Sequence, residues 1–178
     1  MDPRHAHELL RDAVPAGGRA WADLGAGDGT FTRALAAILG PGARILAMDR
    51  DPRAVATLER LAQRVPGVQA SLADFSRPLD PPGGGEGTLD GILFANSLHF
   101  VAAAPVVLAR LTRWLRPGGR AVLIEYDRRP ASRWVPHPIP AEDWPTLAAA
   151  AGLSRPAVVA RWRSAFGGDL YVAIADRD

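Results

Sequence analysis

A chain of 178 residues that is 48% apolar and 22% charged has the length and composition of one compact domain. Its 21 basic residues are all arginine, set against 19 acids, so a P-loop and a pyridoxal Schiff base, each of which needs a lysine, are excluded. The absence of cysteine removes disulfides, thiolate zinc sites and cysteine nucleophiles.

The net charge is only +2, so the calculated pI of 9.9 reflects the scarcity of groups titrating between histidine and arginine and is not a nucleic-acid footprint. The opening MDPRHAHELL carries an acid and two histidines where a signal peptide would be basic and then apolar. No apolar run approaches the ~18 residues of a membrane span, and the expected compartment is the cytoplasm. His5 and His7 fall on the surface of a short amphipathic opening, HELLRDAV.

From residue 19 onward apolar runs alternate with helical patterns, which argues for a parallel sheet covered by helices. RAWADL (19–24) reads as the first strand, followed by a glycine loop and a helix, FTRALAAIL (31–39), stopped by Gly40-Pro41. ARILAM (43–48) is a second strand. Pro52, at a first helical turn, then opens RAVATLERLAQRV, which ends at Pro66-Gly67, with Asp51 placed as its N-cap. VQASLA (68–73) is the third strand. The stretch RPLDPPGGGEGT (77–88) is too rich in proline and glycine for a crossover helix and reads as a loop.

LDGILFA (89–95) is a continuously buried strand, PVVLARLTRWL (105–115) a helix closed by RPGG, and RAVLIEY (120–126) the fifth strand. RRPASRWVPHPIP (128–140) has four prolines in thirteen residues and is a loop. The helix AEDWPTLAAAAG follows, its acids at the N-terminus where the dipole favours them. RPAVVARWRS (155–164) and DLYVAIAD (169–176), joined by a tight AFGG turn, form an antiparallel hairpin. No repeat or linker divides the chain, so residues 1–178 are read as a single domain.

The loop DLGAGDGT places Gly25, Gly27 and Gly29 at alternate positions, which lets the backbone approach a ligand closely and adopt positive φ. A dinucleotide fold needs G-x-G-x-x-G, and here position 30 is threonine. Asp23 and Asp28 flank the ligand path and oppose a pyrophosphate on Coulomb grounds. A ligand carrying an ammonium and a sulfonium is favoured instead.

ADLGAGDGTFTRALA resembles the first motif of the class I S-adenosylmethionine (SAM)-dependent methyltransferases. ILAMDRDP is similar to the second motif, SLADF to the third, and LDGILFANSLHFV and LTRWLRPGGRAVLIEYD to the motifs around strands four and five. The resemblance runs in order and in register over nearly the whole chain. It implies an α/β, Rossmann-like three-layer sandwich: five parallel strands plus a C-terminal antiparallel hairpin, in a seven-stranded sheet of order 3-2-1-4-5-7-6. It also implies SAM as cofactor, with Gly25, Ala26 and Gly27 against the methionine end and Asp23 near the ammonium group. Asp49, with Arg50 beside it, would accept the ribose hydroxyls, while Asp74 receives the adenine amino group and Phe75 packs near the ring. No metal ligands are implied.

In an open α/β sheet the ligand lies beyond the carboxyl ends of the strands, at the switch point between the first and fourth. That puts Asn96, Ser97, His99 and Phe100 beside the methyl group. His99 is the residue there able to act as a base near neutral pH, and two roles are open to it, catalytic base or hydrogen-bonded packing residue. Trp134 and His137, in the proline-rich loop, are candidates to cover the acceptor, against the reading of an incidental surface loop.

The stretch NSLH departs from the Asn/Asp-Pro-Pro-aromatic pattern of relatives that methylate nucleic-acid bases or glutamine amides, which argues against those acceptors and against a nucleic-acid partner. Arg128, Arg129 and Arg133 cluster at the mouth, to meet an acidic substrate or simply to be solvated. The activity expected is methyl transfer by in-line displacement to a small-molecule acceptor. The alternative is a SAM-binding sensor or partner subunit without turnover, and the small N-terminal cap allows a homodimer to complete the site. A nicotinamide-dependent oxidoreductase shares the sheet but is opposed by the loop acids.

Overall fold

The computed structural model describes residues 3–15, 17, 19–163 and 168–178. β1 (Ala20–Leu24), β2 (Arg44–Asp49), β3 (Val68–Leu72), β4 (Leu89–Ala95) and β5 (Leu115–Asp127) are parallel, and β6 (Leu153–Arg163) and β7 (Asp169–Arg177) close one edge. The order is β3-β2-β1-β4-β5-β7-β6, with β7 antiparallel to both neighbours, as the motif pattern implies. Of the AFGG turn expected between the last two strands, residues 165–167 lie outside the described residues.

The period-two alternation of strand side chains sorts the apolar residues into two cores. On β5, Val122 and Ile124 face one side, while Ala121 and Leu123 face the other. β7 repeats the pattern, with Leu170 and Val172 on the first side and Tyr171, Ala173 and Ala175 on the second. The first side is covered by α1 (Pro3–Arg11), α2 (Thr30–Leu39) and α3 (Pro52–Ala62), through Leu9, Leu10, Leu35 and Leu58. α4 (Ala104–Leu111) and α5 (Trp144–Ala150) cover the second, through Leu108, Leu111, Trp144 and Leu147. Three layers result because the central parallel strands β1, β4 and β5 are apolar on both faces and need cover on both.

Local chemistry sets the helix ends. Asp51 caps α3, its carboxylate accepting from the Arg53 amide at 2.9 Å with Pro52 in the first turn. The helix expected over 105–115 is shorter: α4 ends at Leu111, a 3₁₀ turn covers Thr112–Trp114, and Leu115 already pairs with Leu89. Arg177, from the last strand, braces the segment that follows the stop. Its guanidinium donates to the carbonyls of Arg113, at 2.6 Å, and of Leu115, acceptors that lie past the last helical hydrogen bond and have no donor within the helix. The 77–88 segment holds only a short 3₁₀ turn, Pro82–Gly84, in place of a crossover helix. No helix among the described residues is long and apolar enough to cross a membrane.

β1 and β4, the central pair, are in close contact. Trp21 is opposite Gly91 in register, and its indole lies across that glycine so tightly that an added Cβ would meet the Trp21 ring at 2.3 Å. Gly91→Ala should therefore destabilise the fold by about 2 kcal/mol through overpacking, read as a lower urea midpoint at unchanged slope.

Candidate active site

The three glycines of the loop after β1 all hold positive φ, at 80°, 56° and 79° for Gly25, Gly27 and Gly29. The Gly25 and Ala26 amides donate to the Met48 carbonyl at 2.8 and 2.9 Å, tying the loop to the end of β2. At Gly25 the absence of a side chain is also steric, since a Cβ there would lie 2.5 Å from Cβ of Ser97. Ser97 in turn donates its hydroxyl to the Leu24 carbonyl at 2.6 Å, fastening the ends of β1 and β4 together.

Between these strand ends lies a cleft of about 440 Å³, within the usual range for small ligands. Gly25, Ala26, Gly27, Asp49, Arg50 and Asp74 line it, with Phe75 and Asn96, so eight of the sequence-derived residues come together there. Asp49 is oriented at both oxygens: Oδ2 accepts from the Gly27 amide and Oδ1 from the Asp51 amide, each at 2.9 Å. A carboxylate oxygen has two lone pairs, so each keeps acceptor capacity for a ligand. Burial works against ionisation of Asp74, but hydrogen bonds from the Ser76 hydroxyl and amide and the charges of Arg50 and Arg77 outweigh it and hold this carboxyl below its ordinary value. Phe75 is buried edge-on against Phe94.

Asp23 is placed differently. It is fully buried behind the glycine loop and is not among the residues lining the cleft. Oδ2 accepts from the Thr32 hydroxyl at 2.6 Å, while Oδ1 has no partner. Burial pushes its pKa up to about 7, against the Thr32 hydrogen bond and with help from the charges of Asp49 and Asp28. Asn96, held at φ 53° where β4 ends, also buries an unpartnered acceptor, Oδ1. Two unsatisfied acceptors around a loop bordered by acids suit a ligand bearing a cation, and SAM fits this set.

A second cleft, about 500 Å³, adjoins the first and shares Asn96 and Phe100 with it. It is lined by His99, Tyr126, Arg129, Trp134 and Val135. His99 is almost fully buried, and Glu125 engages it twice: Oε1 accepts from the His99 amide at 3.1 Å, and Oε2 lies 2.5 Å from Nδ1. A proton must lie between Nδ1 and a carboxylate oxygen this close, which leaves Nε2 as the basic nitrogen on the side of the cleft. Sequence reading missed Glu125. The available signal was an acid near the end of RAVLIEY, a strand otherwise apolar enough to be buried on both faces.

Trp134 forms part of the rim of this cleft, whereas His137 lines neither cleft; its side chain is exposed and its amide donates to the His99 carbonyl at 3.0 Å. No residue of α1 lines either cleft. Among the described residues no cluster of histidines and acids could hold a metal ion.

A family model described as a methyltransferase domain matches residues 22–121, more than half of the chain and every residue lining the first cleft. The chain belongs to the class I SAM-dependent methyltransferases. It is 33% identical over 117 residues to a trans-aconitate 2-methyltransferase of Acidovorax, covering 65% of this chain and 42% of that protein. It is 36% identical over 97 residues to the ribosomal RNA small subunit methyltransferase A of Sphingopyxis alaskensis, covering 53% of this chain and 32% of that one. The chain thus spans less than half the length of these curated relatives. A solved structure of 1,6-didemethyltoxoflavin-N1-methyltransferase from Burkholderia thailandensis, with 1,6-didemethyltoxoflavin and S-adenosylhomocysteine bound, superposes with a TM-score of 0.76 at 26% identity, covering 98% of this chain and 77% of that one.

The raised pKa of Asp23 has a testable sign. Between the ordinary value of 3.8 and about 7 the folded chain keeps a proton that the unfolded chain has released, so this group's contribution to stability falls as pH rises through that window. Asp23→Asn should therefore flatten the decline in ligand-free melting temperature between about pH 4 and about pH 7. Parallel declines in the two proteins would show that Asp23 does not titrate there.

Proposed function

We propose that this chain transfers a methyl group from SAM to a small-molecule acceptor in the second cleft, with His99 as base and Glu125 as the residue that positions it. The observation that carries this reading is the buried contact of His99 Nδ1 with Glu125 Oε2, beside Phe100, a residue that both clefts share. Bound SAM supplies a methyl group on a sulfonium centre, and in-line transfer needs alignment and exclusion of water.

The chain's residues meet those needs in turn. The glycine loop lets the backbone approach the methionine end, Asn96 stands in the cleft wall beside it, and the carboxyl of Asp23 acts on its ammonium group from behind the loop. Asp49 takes the ribose hydroxyls, with Arg50 alongside, and Asp74 and Phe75 take the adenine. As the acceptor's bond to carbon forms, His99 Nε2 removes the acceptor proton. Glu125, already bonded through both oxygens, offsets the charge that develops on the imidazole. Phe100 and Trp134 border the acceptor and keep solvent from it. The 1,6-didemethyltoxoflavin and trans-aconitate enzymes support a small molecule as acceptor, and the single continuous sheet supports residues 1–178 acting as one domain. A sensor that binds SAM without turnover has no use for an oriented buried imidazole.

The test combines calorimetry with turnover. Wild-type protein should bind SAM and S-adenosylhomocysteine, and Asp49→Ala should lose that binding. His99→Gln should bind SAM normally yet lower kcat about 100-fold or more, the contribution expected of a general base. Glu125→Gln should lower kcat while leaving KM for SAM unchanged. Undiminished turnover in His99→Gln would remove the base from the mechanism.

A further inference from the structure

We propose that the acceptor is a small planar carboxylic acid, and that Arg129 binds its carboxylate. The inference deepens the reading of the second cleft as the acceptor site and depends on it. Arg129 follows β5 directly, is half-buried, and has its guanidinium 4.4 Å from the centre of the Tyr126 ring. Stacking fixes the plane of the guanidinium while leaving its edge donors free. Among the described residues no carboxylate pairs with it.

The nearby acids are already engaged. Glu125 is held by His99, and Asp127 accepts from the Ala141 amide and from Arg161. Arg133 stands on the same loop over the Trp134 ring, so a second guanidinium lies at the rim of this cleft. A planar fork with free donors beside an apolar cleft matches the two coplanar oxygens of a carboxylate.

The walls suit a flat body. Phe100 has its ring 4.4 Å from that of His99, and Trp134 faces the cleft although 68% of it is exposed. That exposure is not looseness of the loop. Ser132 and Val135 exchange backbone hydrogen bonds at 3.0 and 3.2 Å, the Ser132 hydroxyl accepts from the Trp134 and Val135 amides, and Val135 is buried. The indole is thus held out at the rim by a closed turn, 5.0 Å beneath the Arg133 guanidinium. An acid lying against these rings, with its carboxylate on Arg129, would bring its other end to His99 at the junction with the cofactor cleft.

Protein saturated with S-adenosylhomocysteine should be titrated with 4-hydroxybenzoate, salicylate and trans-aconitate, and with their methyl esters. At least one acid should bind, with its ester about tenfold weaker or worse, the loss expected for one charge-assisted hydrogen bond. Arg129→Gln should weaken the acid about tenfold yet change the ester less than about twofold, and Arg129→Lys should recover part of the difference. Equal binding of acids and esters, an Arg129→Gln variant that binds acids like wild type, or no acid bound by protein that does bind S-adenosylhomocysteine would each overturn the proposal. Failure of S-adenosylhomocysteine to bind at all would instead strike at the cofactor site. Full turnover by His99→Gln would strike at the base and leave the assignment of Arg129 standing.

Discussion

β1 and β4 lie side by side and parallel, and the chain leaves them for opposite faces of the sheet, α2 on one and α4 on the other. Right-handed crossovers make this divergence unavoidable once the strand order reverses at that pair, and it opens a gap at the strand ends that no side chain of the sheet can fill. The first cleft opens from this gap, and the second adjoins it over the ends of β4 and β5. The close fit of Trp21 over Gly91 fixes the spacing of the two strands, and the Ser97 hydroxyl on the Leu24 carbonyl fixes their ends.

Two buried carboxylates on either side of the gap have opposite surroundings. Glu125 is saturated by one residue, backbone and side chain together, so its negative charge has a dedicated partner and its geometry is rigid. Asp23 has a hydroxyl on one oxygen and nothing on the other, in a position where burial disfavours charge. An unpaired buried carboxylate is costly in the free protein and becomes favourable only when a cation arrives, which is how a site can be poised for a positively charged ligand. Structural hydrogen bonding and ligand readiness thus come from the same residue chemistry, separated by whether the chain supplies the partner itself.

The cation-rich loop after β5 completes the arrangement. Tyr126 and Trp134 carry guanidinium groups on their faces, Asp127 is withdrawn into bonds with Arg161 and Ala141, and the loop between Ser132 and Val135 is closed by its own hydrogen bonds. The proline content of this segment rules out a helix and leaves such local closures to define its shape.

Much of this was legible beforehand. Alternating apolar runs and helical patterns identified the five parallel strands and the final hairpin, and the motif spacing implied their order. The glycine loop was readable from spacing within one strand-turn-helix unit, and Asp49 and Asp74 from the resemblance of the ends of β2 and β3 to the family's second and third motifs. The early end of α4 was not, because Leu115 is taken up in pairing with Leu89, a residue distant along the chain. The partnership of Glu125 with His99 was hidden for the same reason, since it joins the ends of two strands 26 residues apart. Composition and local pattern determined which elements form and which loop faces a cationic ligand, because those depend on backbone preference and nearest-neighbour periodicity. Which acid is paired, which is orphaned and which arginine is left free depends on contacts between distant segments, and only the packed sheet could decide them.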